Sequence, residues 1–459
     1  MTIYTLKLIS IYLLILVGTQ HILDNNKENL VSKERTFYVA KNGNDKNPGT
    51  AALPWYSIQK GANSISPGET LVVKPGFYKE YVIVKNKGTA DDSRINITSE
   101  KLHAAKCLGF QIQGEYITID GFDIEASTLN WTGILSRGYS YLNVLNCYIH
   151  ECPIGGISVT YGASHAKIIG NKLEHNGQWG VSLKGINGLV ENNEITRTVQ
   201  YHPKGNEPGW TGSDADGLRI FGYNHIIRSN TILDIGDPND KGNVDPHVDG
   251  IQSWDDGPKG YPVMSNTVIE GNYIRIKHAS GKGIMLDAMK GKGAHNLIIR
   301  NNIFEFRDIG ISMYTGKYHD IFIYNNIFKA NLNEKSWGVS MSLLNVNNYK
   351  VYNNITVDCH PEHRKIKGGK GIVDYNIAWN SDGSVPRLMP AVQSNELKGV
   401  NPKFVTYTGE SGKSNYHLLQ SSPAIDAGKT IKVVLFDFEG LKRPQGSGFD
   451  IGPFEFKIK

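Results

Sequence analysis

A strand phrase of glycine, apolar residue, any residue, apolar residue recurs through the middle of this chain. It reads Gly156-Ile157-Ser158-Val159, Gly180-Val181-Ser182-Leu183, Gly217-Leu218-Arg219-Ile220, Gly250-Ile251-Gln252-Ser253 and Gly283-Ile284-Met285-Leu286. Gly310-Ile311-Ser312-Met313 and Gly338-Val339-Ser340-Met341 continue it. Between these phrases runs a second one, apolar residues closed by asparagine. Its asparagines are Asn146, Asn171, Asn193, Asn230, Asn272, Asn302, Asn326, Asn354 and Asn376, at steps of 22 to 42 residues. A period of about 20 to 50 residues marks a solenoid, whose turns bury a core only by stacking on one another. Alternating apolar-in, polar-out strands make each turn a set of short β-strands. The expected fold is therefore all-β, a parallel β-helix. Asparagine suits the tight turns between strands, because it tolerates the left-handed region and bonds its own backbone. Stacked asparagines also form ladders, so they are assigned to the fold and not to a site.

If each phrase is one turn, the residues before the glycines stack in one column. They are Gly155, Trp179, Asp216, Asp249, Lys282, Ile309 and Trp337. Two carboxylates and an ammonium then lie in successive turns, roughly 4.8 Å apart. Such a stack costs stability unless it serves a cation or a substrate. Two residues earlier, Asp214 faces His247 across the same two turns. Arg219 and Gln252 point outward two residues after the glycine, with Met285 in the next turn. Further along the strands lie Phe221, Trp254, Asp287 and Tyr314, side chains able to contact sugar rings and hydroxyls. The two longest steps carry the extra stretches Gln200 to Ser213 and Gly236 to Pro246. Insertions in a solenoid become loops on one face, often the binding face. They sit directly before Asp216 and Asp249, so longer loops and stacked charge point to the same turns.

The 459-residue chain carries a net charge of +5, which favours an anionic partner. Lys7 precedes an apolar run from Leu8 to Val17, the length of a secretory leader. Residues 1–20 are read as a signal peptide, with an uncleaved anchor as the alternative and no other segment able to span a membrane. Cys107, Cys147, Cys152 and Cys359 are too few for a disulfide framework and lack zinc spacing; Cys147 and Cys152 pair or stay as buried thiols. The stretch from Thr36 to Ile97 reads as a cap, with strands at Phe37 to Ala40, Thr70 to Val73 and Tyr81 to Val84 and a helix near Ser57 to Ala62. The solenoid with this cap is assigned to residues 36–400 and an irregular closing cap to 401–459. No nucleic-acid-binding module is present, and the basic residues are dispersed.

Several phrases carry a family resemblance. Phe37-Tyr38-Val39 with Gly43-Asn44-Asp45 and Pro48-Gly49-Thr50 resembles the start of secreted right-handed parallel β-helix proteins of the pectate-lyase-like superfamily. Pro67-Gly68-Glu69-Thr70, Lys74-Pro75-Gly76-Phe77-Tyr78 and the ending Ser422 to Gly428 belong to the same resemblance. Ala215-Asp216-Gly217 and Asp249-Gly250 resemble the calcium-binding turns of polysaccharide lyase family 9. That resemblance implies calcium held by Asp216 and Asp249. The family's catalytic lysine falls near Met285 here, and Val248 and Gln252 occupy two of its aspartate positions. Lys282 or His247 must then supply the base. Asp245-Pro246-His247 resembles a phrase of mannuronan epimerases, and Arg275-Ile276-Lys277 one of polygalacturonases.

The scaffold hosts several chemistries. The favoured expectation is a monomeric, secreted or periplasmic lyase that cleaves an extracellular, uronate-containing polysaccharide by β-elimination. In it Lys282 or His247 is the base, with Asp249 and Asp214 in the catalytic group. Asp216 and Asp249 hold calcium or the substrate carboxylate, and Arg219 anchors a carboxylate. Gln252, Trp254, Asp287 and Tyr314 complete the substrate-binding surface. The alternatives are an inverting glycoside hydrolase using Asp214, Asp216 and Asp249, a C5-epimerase, and a non-catalytic glycan-binding solenoid.

Overall fold

A computed structural model describes residues 35–129, 131–199, 214–236, 247–255, 262–288, 293–314, 317–330, 338–360, 362–390 and 393–457. The leader 1–20, the inserted stretch 200–213, residues 237–246 with Asp245 and Pro246, and Trp337 lie outside the described residues. The chain winds into a right-handed β-solenoid of about eleven turns. Among the described residues its strands form one sheet of 13 and one of 23 that bends around the remaining two sides, with an antiparallel pair, Phe404–Thr406 and Asn415–Leu418, in the closing segment; nearly every pairing is parallel. One helix, Ile58–Ser64, belongs to the first turns; Ser57 caps it by accepting from the backbone of Lys60.

The glycine phrase earns its place at a corner. A Cβ on Gly217 would lie 2.6 Å from the carbonyl oxygen of Gly250 and 2.6 Å from Ile232. On Gly250 it would lie 2.6 Å from Ile274 and 2.7 Å from the Gly283 carbonyl. Only glycine lets the chain turn this tightly against the strand of the preceding face. Past the corner, Ile157, Val181, Leu218, Ile251, Ile284 and Ile311 stack as one buried column. The register follows the sequence phrases from Gly156 to Gly310, then slips by two. Ile309 pairs with Val339 and Ile311 with Met341, so Ser340 takes the corner position and not Gly338. Gly338 instead packs on Ala330, whose Cβ would be 2.4 Å from a side chain there. A slip of two keeps apolar residues inward, and the sequence pattern does not reveal it.

The asparagine repeat is a continuous buried ladder. From Asn171 through Asn193, Asn230, Asn272, Asn302, Asn326 and Asn354 to Asn376, each Nδ2 donates to the next Oδ1 at 2.9 to 3.0 Å. Each Oδ1 also takes a backbone N–H from the turn before. The residue preceding each rung is left-handed, with φ from +50° at Asn146 to +69° at Gly170. Asn146 is therefore a turn residue, and Cys147 holds the first ladder position, its N–H donating to Asn171 Oδ1 at 2.9 Å. Glu396 ends the ladder by accepting from Asn376 at 3.2 Å. All four cysteines are free and buried.

The closing segment lies along the side of the later turns. Asn301 donates to the Phe436 carbonyl at 2.7 Å, and Asn325 to those of Asp450 and Gly452 at 3.1 and 3.0 Å. Asn353 donates to the Lys429 carbonyl at 2.9 Å. Buried Glu305 accepts from Ser411, the Gly412 backbone and Tyr416 at 2.6 to 2.7 Å. No helix among the described residues is long and apolar enough to cross a membrane.

The ladder predicts a position-specific stability loss. Asn272→Ala leaves the Asn230 N–H and the Ile227 carbonyl without partners, at roughly 1 to 3 kcal/mol per buried group. Thermal melting should drop by several degrees. Asn146→Gly, at an exposed left-handed turn, should leave the melting temperature within a degree or two.

Candidate active site

Four successive strands position the cluster: Trp179–Ile186, Ala215–Tyr223, Val248–Trp254 and Lys282–Asp287. Trp179 pairs with Asp216, Asp216 with Asp249, and Asp249 with Lys282. The corner glycine that follows each of these residues orients the column outward at the start of the face. Asp214 and His247 each precede their strand by one residue in the same two turns, and the Ala215 N–H donates to the His247 carbonyl at 2.9 Å.

The side chains form one connected group. Arg219 Nε donates to Asp216 Oδ2 at 2.5 Å, and Arg219 Nη2 donates to the Asp214 carbonyl at 3.1 Å. His247 Nδ1 lies 3.2 Å from Asp249 Oδ2, off the line of a hydrogen bond, and 3.8 Å from Asp214 Oδ1. Gln252 Nε2 is 3.3 Å from the same Nδ1. His247 Nε2 faces Lys282 Nζ at 3.5 Å. Lys282 also donates to the Ser280 carbonyl at 3.0 Å and lies 3.7 Å from Asp308. The Asp216 and Asp249 side chains are 0% exposed, whereas those of His247 and Asp214 are 36% and 34% exposed.

Burial governs the electrostatics. It pushes the Asp216 carboxyl up to about 7, against the pull of Arg219 and with the help of Asp214. Burial and then the Asp216 charge drive Asp249 well above the usual carboxylate range, Lys282 opposing. Burial and the nearby Lys282 ammonium hold His247 below the ordinary histidine value, against Asp214. Burial also raises Asp308, which Lys282 lowers. The most accessible titratable ring is thus a neutral imidazole at neutral pH, between carboxyls on one edge and an ammonium on the other.

Asp216 Oδ1 and both Asp249 carboxyl oxygens are buried without a hydrogen-bond partner among the described residues, a feature that a cation could satisfy. Calcium, however, takes about six to eight oxygen ligands. Arg219 already holds the other Asp216 oxygen, and His247 and Lys282 add positive charge beside Asp249. Among the described residues no three acidic, histidine or cysteine side chains are arranged to hold a metal ion. The described donor set does not fit calcium.

Of the residues expected from sequence, Asp214, Asp216, Arg219, His247, Asp249, Gln252 and Lys282 come together. Arg219 is largely committed to Asp216. Trp254 joins through the Arg219 guanidinium, 5.7 Å from its ring centre. Asp287 pairs with Trp254 in register, and exposed Tyr314 follows the Ile309–Met313 strand; both stand outside the contacts above. Sequence reasoning missed Asp308 beside Lys282, and it placed Trp179 in the column without assigning it a role. Arg219 also lies 4.9 Å from the Trp179 ring. Asp308 falls two residues before Gly310, one position off the column of Asp214 and His247, which lie three before their glycines, so the glycine phrase carried no signal for it.

A family model described as Pel9A-like, right handed beta helix region, matches residues 37–231, and one for a right handed beta helix region matches 156–360. The uncharacterized protein YwoF of Bacillus subtilis is 24% identical over 390 residues, 78% of this chain and 76% of its own length. Pectate lyase L of Dickeya dadantii is 25% identical over 166 residues, 32% of this chain and only 38% of that protein. Among solved structures, XylC in complex with xylose superposes with a TM-score of 0.56 at 12% identity, covering 92% of this chain and 98% of that one. The pectate lyase Pel9A superposes at 0.51 and 18% identity, covering 92% and 96%. With its phrases, its stacked parallel turns and both matched regions in agreement, the chain is a right-handed parallel β-helix protein, similar over residues 37–231 to the Pel9A-like β-helix family.

Proposed function

We propose that this protein is a secreted, monomeric polysaccharide lyase that cleaves an extracellular uronate-containing glycan by β-elimination. The observation that carries the reading is the His247 imidazole. It is partly exposed, flanked on its Nδ1 edge by Asp249 at 3.2 Å and Asp214 at 3.8 Å, faced on Nε2 by Lys282, and kept in its neutral form. A neutral, partly exposed imidazole beside an acidic group is suited to proton abstraction. The Pel9A-like family match and the pectate lyase relative are consistent with it.

In this reading the substrate carboxylate meets Arg219, whose fork geometry suits a carboxylate. Its charge is offset and the C5 proton becomes more acidic. His247 Nε2 takes that proton. The electron pair forms the C4–C5 double bond and the C4–O bond breaks. The leaving oxygen takes a proton from the Lys282 ammonium, and Lys282 regains one from His247 across their 3.5 Å contact. Asp214 stabilises the transient imidazolium. No step uses a metal ion. Inverting hydrolysis needs two carboxyls flanking the scissile bond; with Asp216 and Asp249 fully buried, Asp214 is the one reachable carboxyl of the three.

Incubation with a panel of uronate polysaccharides should raise ultraviolet absorbance, and chelator should leave the rate unchanged. Reducing ends without absorbance would mean hydrolysis, and a rate lost with chelator would restore calcium. His247→Ala and Lys282→Ala should each lower kcat by about 100-fold or more, with unchanged melting in His247→Ala. Because His247 titrates below 6.5, kcat/KM should rise with pH through an apparent value under 6.5 and then level.

The buried carboxyls generate an opposite dependence for stability. Asp216 holds its proton to about 7, against 3.8 for an ordinary aspartate, and Asp249 is raised in the same sense. Between those values the folded chain binds more protons than the unfolded one, so stability falls as pH rises. Asp249→Asn removes one of the two charges. It should melt higher than the wild type at about pH 8 and equally at about pH 4, while losing at least about tenfold in kcat. An unchanged fall in melting temperature with pH would place the load elsewhere.

A further inference from the structure

We propose that Gly155 and Trp179, neither of which touches the reacting atoms, make the site selective for an acidic sugar by clamping Arg219 in a single orientation. This deepens the elimination reading, in which Arg219 meets the uronate carboxylate, and it rests on that reading.

The guanidinium is flanked by two indoles, its central carbon 4.9 Å from the ring centre of Trp179 and 5.7 Å from that of Trp254. Trp254 is itself fixed edge-on against buried Phe221, with centres 4.6 Å apart at 83°. Nε is held by Asp216 and Nη2 by the Asp214 carbonyl. Nη1 takes no partner among the described residues. A guanidinium fixed by stacking and by two of its nitrogens presents the third in one direction. It thus avoids most of the side-chain ordering cost when a carboxylate arrives.

The clamp depends on a residue one turn further from the chemistry. A Cβ on Gly155 would lie 2.2 Å from Trp179 Nε1 and 2.5 Å from its Cε2. Gly155 does not have a left-handed backbone, so conformation alone does not demand glycine there. The space is needed by the indole. Any side chain at 155 lifts Trp179 off its seat and opens one side of the Arg219 stack. Gly155 and Trp179 are therefore positioning residues that act through Arg219.

The test compares wild type with Trp179→Ala, Trp179→Phe and Gly155→Ala on polygalacturonate or alginate, whichever the wild type degrades, and on its methyl ester. Trp179→Ala should raise KM for the acidic polymer about tenfold with kcat within about twofold, Trp179→Phe should recover most of the loss, and Gly155→Ala should behave like Trp179→Ala. KM for the methyl ester should stay the same in all variants. A KM that rises equally on both polymers, or on neither, overturns the role in selectivity. The clamp is also read without substrate, by phenylglyoxal labelling of Arg219 followed by peptide mapping. Faster labelling in Trp179→Ala supports the clamp, and equal labelling overturns it. If the wild type degrades no uronate polymer, the elimination reading falls and the selectivity with it, whatever the labelling shows.

Discussion

Everything in this molecule follows from parallel strands stacked one strand-spacing apart with their residues in register. That constraint places like positions of successive turns side by side, whatever their chemistry. Where the position holds asparagine, the enforced neighbours satisfy each other: every amide from Asn171 to Asn354 gives a proton to the next and receives one from a backbone. Where it holds Asp216 and Asp249, the same enforced proximity sets two carboxyls against each other inside the protein. Ladder and site are the favourable and unfavourable faces of one geometric rule.

Much of this was legible in the sequence because a solenoid translates spacing into proximity almost literally. The glycine phrase gave the column of Trp179, Asp216, Asp249 and Lys282, and the register agrees from Gly156 to Gly310. Errors arose where two registers bury equally well. Val339 and Met341 are both apolar, so a slip of two leaves the pattern intact and puts Ser340 at the corner. Cys147 stands in for asparagine because its N–H alone suffices at the end of a ladder. Side-chain commitments were beyond reach. Nothing in the order of residues shows that Arg219 bonds Asp216, that Asp308 backs Lys282, or that Trp179 needs the gap at Gly155. The resemblance implied calcium from two matching aspartates; the cations around them are visible only in three dimensions.

The site divides its labour by depth. Deep in the face, Asp216 and Asp249 are shielded from solvent and their partners come from neighbouring turns. At the rim, His247 and Asp214 remain partly exposed.

The closing segment has a consequence for how such a protein can change over evolution. Its bonds are indexed to individual turns: Asn301 to Phe436, Asn325 to Asp450 and Gly452, Asn353 to Lys429. A duplicated or deleted turn within that stretch would put every one of those partners out of step at once. A turn added or lost before Asn272 would lengthen or shorten the solenoid and leave the tail's pairings untouched. The half of the molecule that bears Asp216 and Asp249 is thus the half free to gain turns and loops, and the tail works as a ruler that fixes the length of the other.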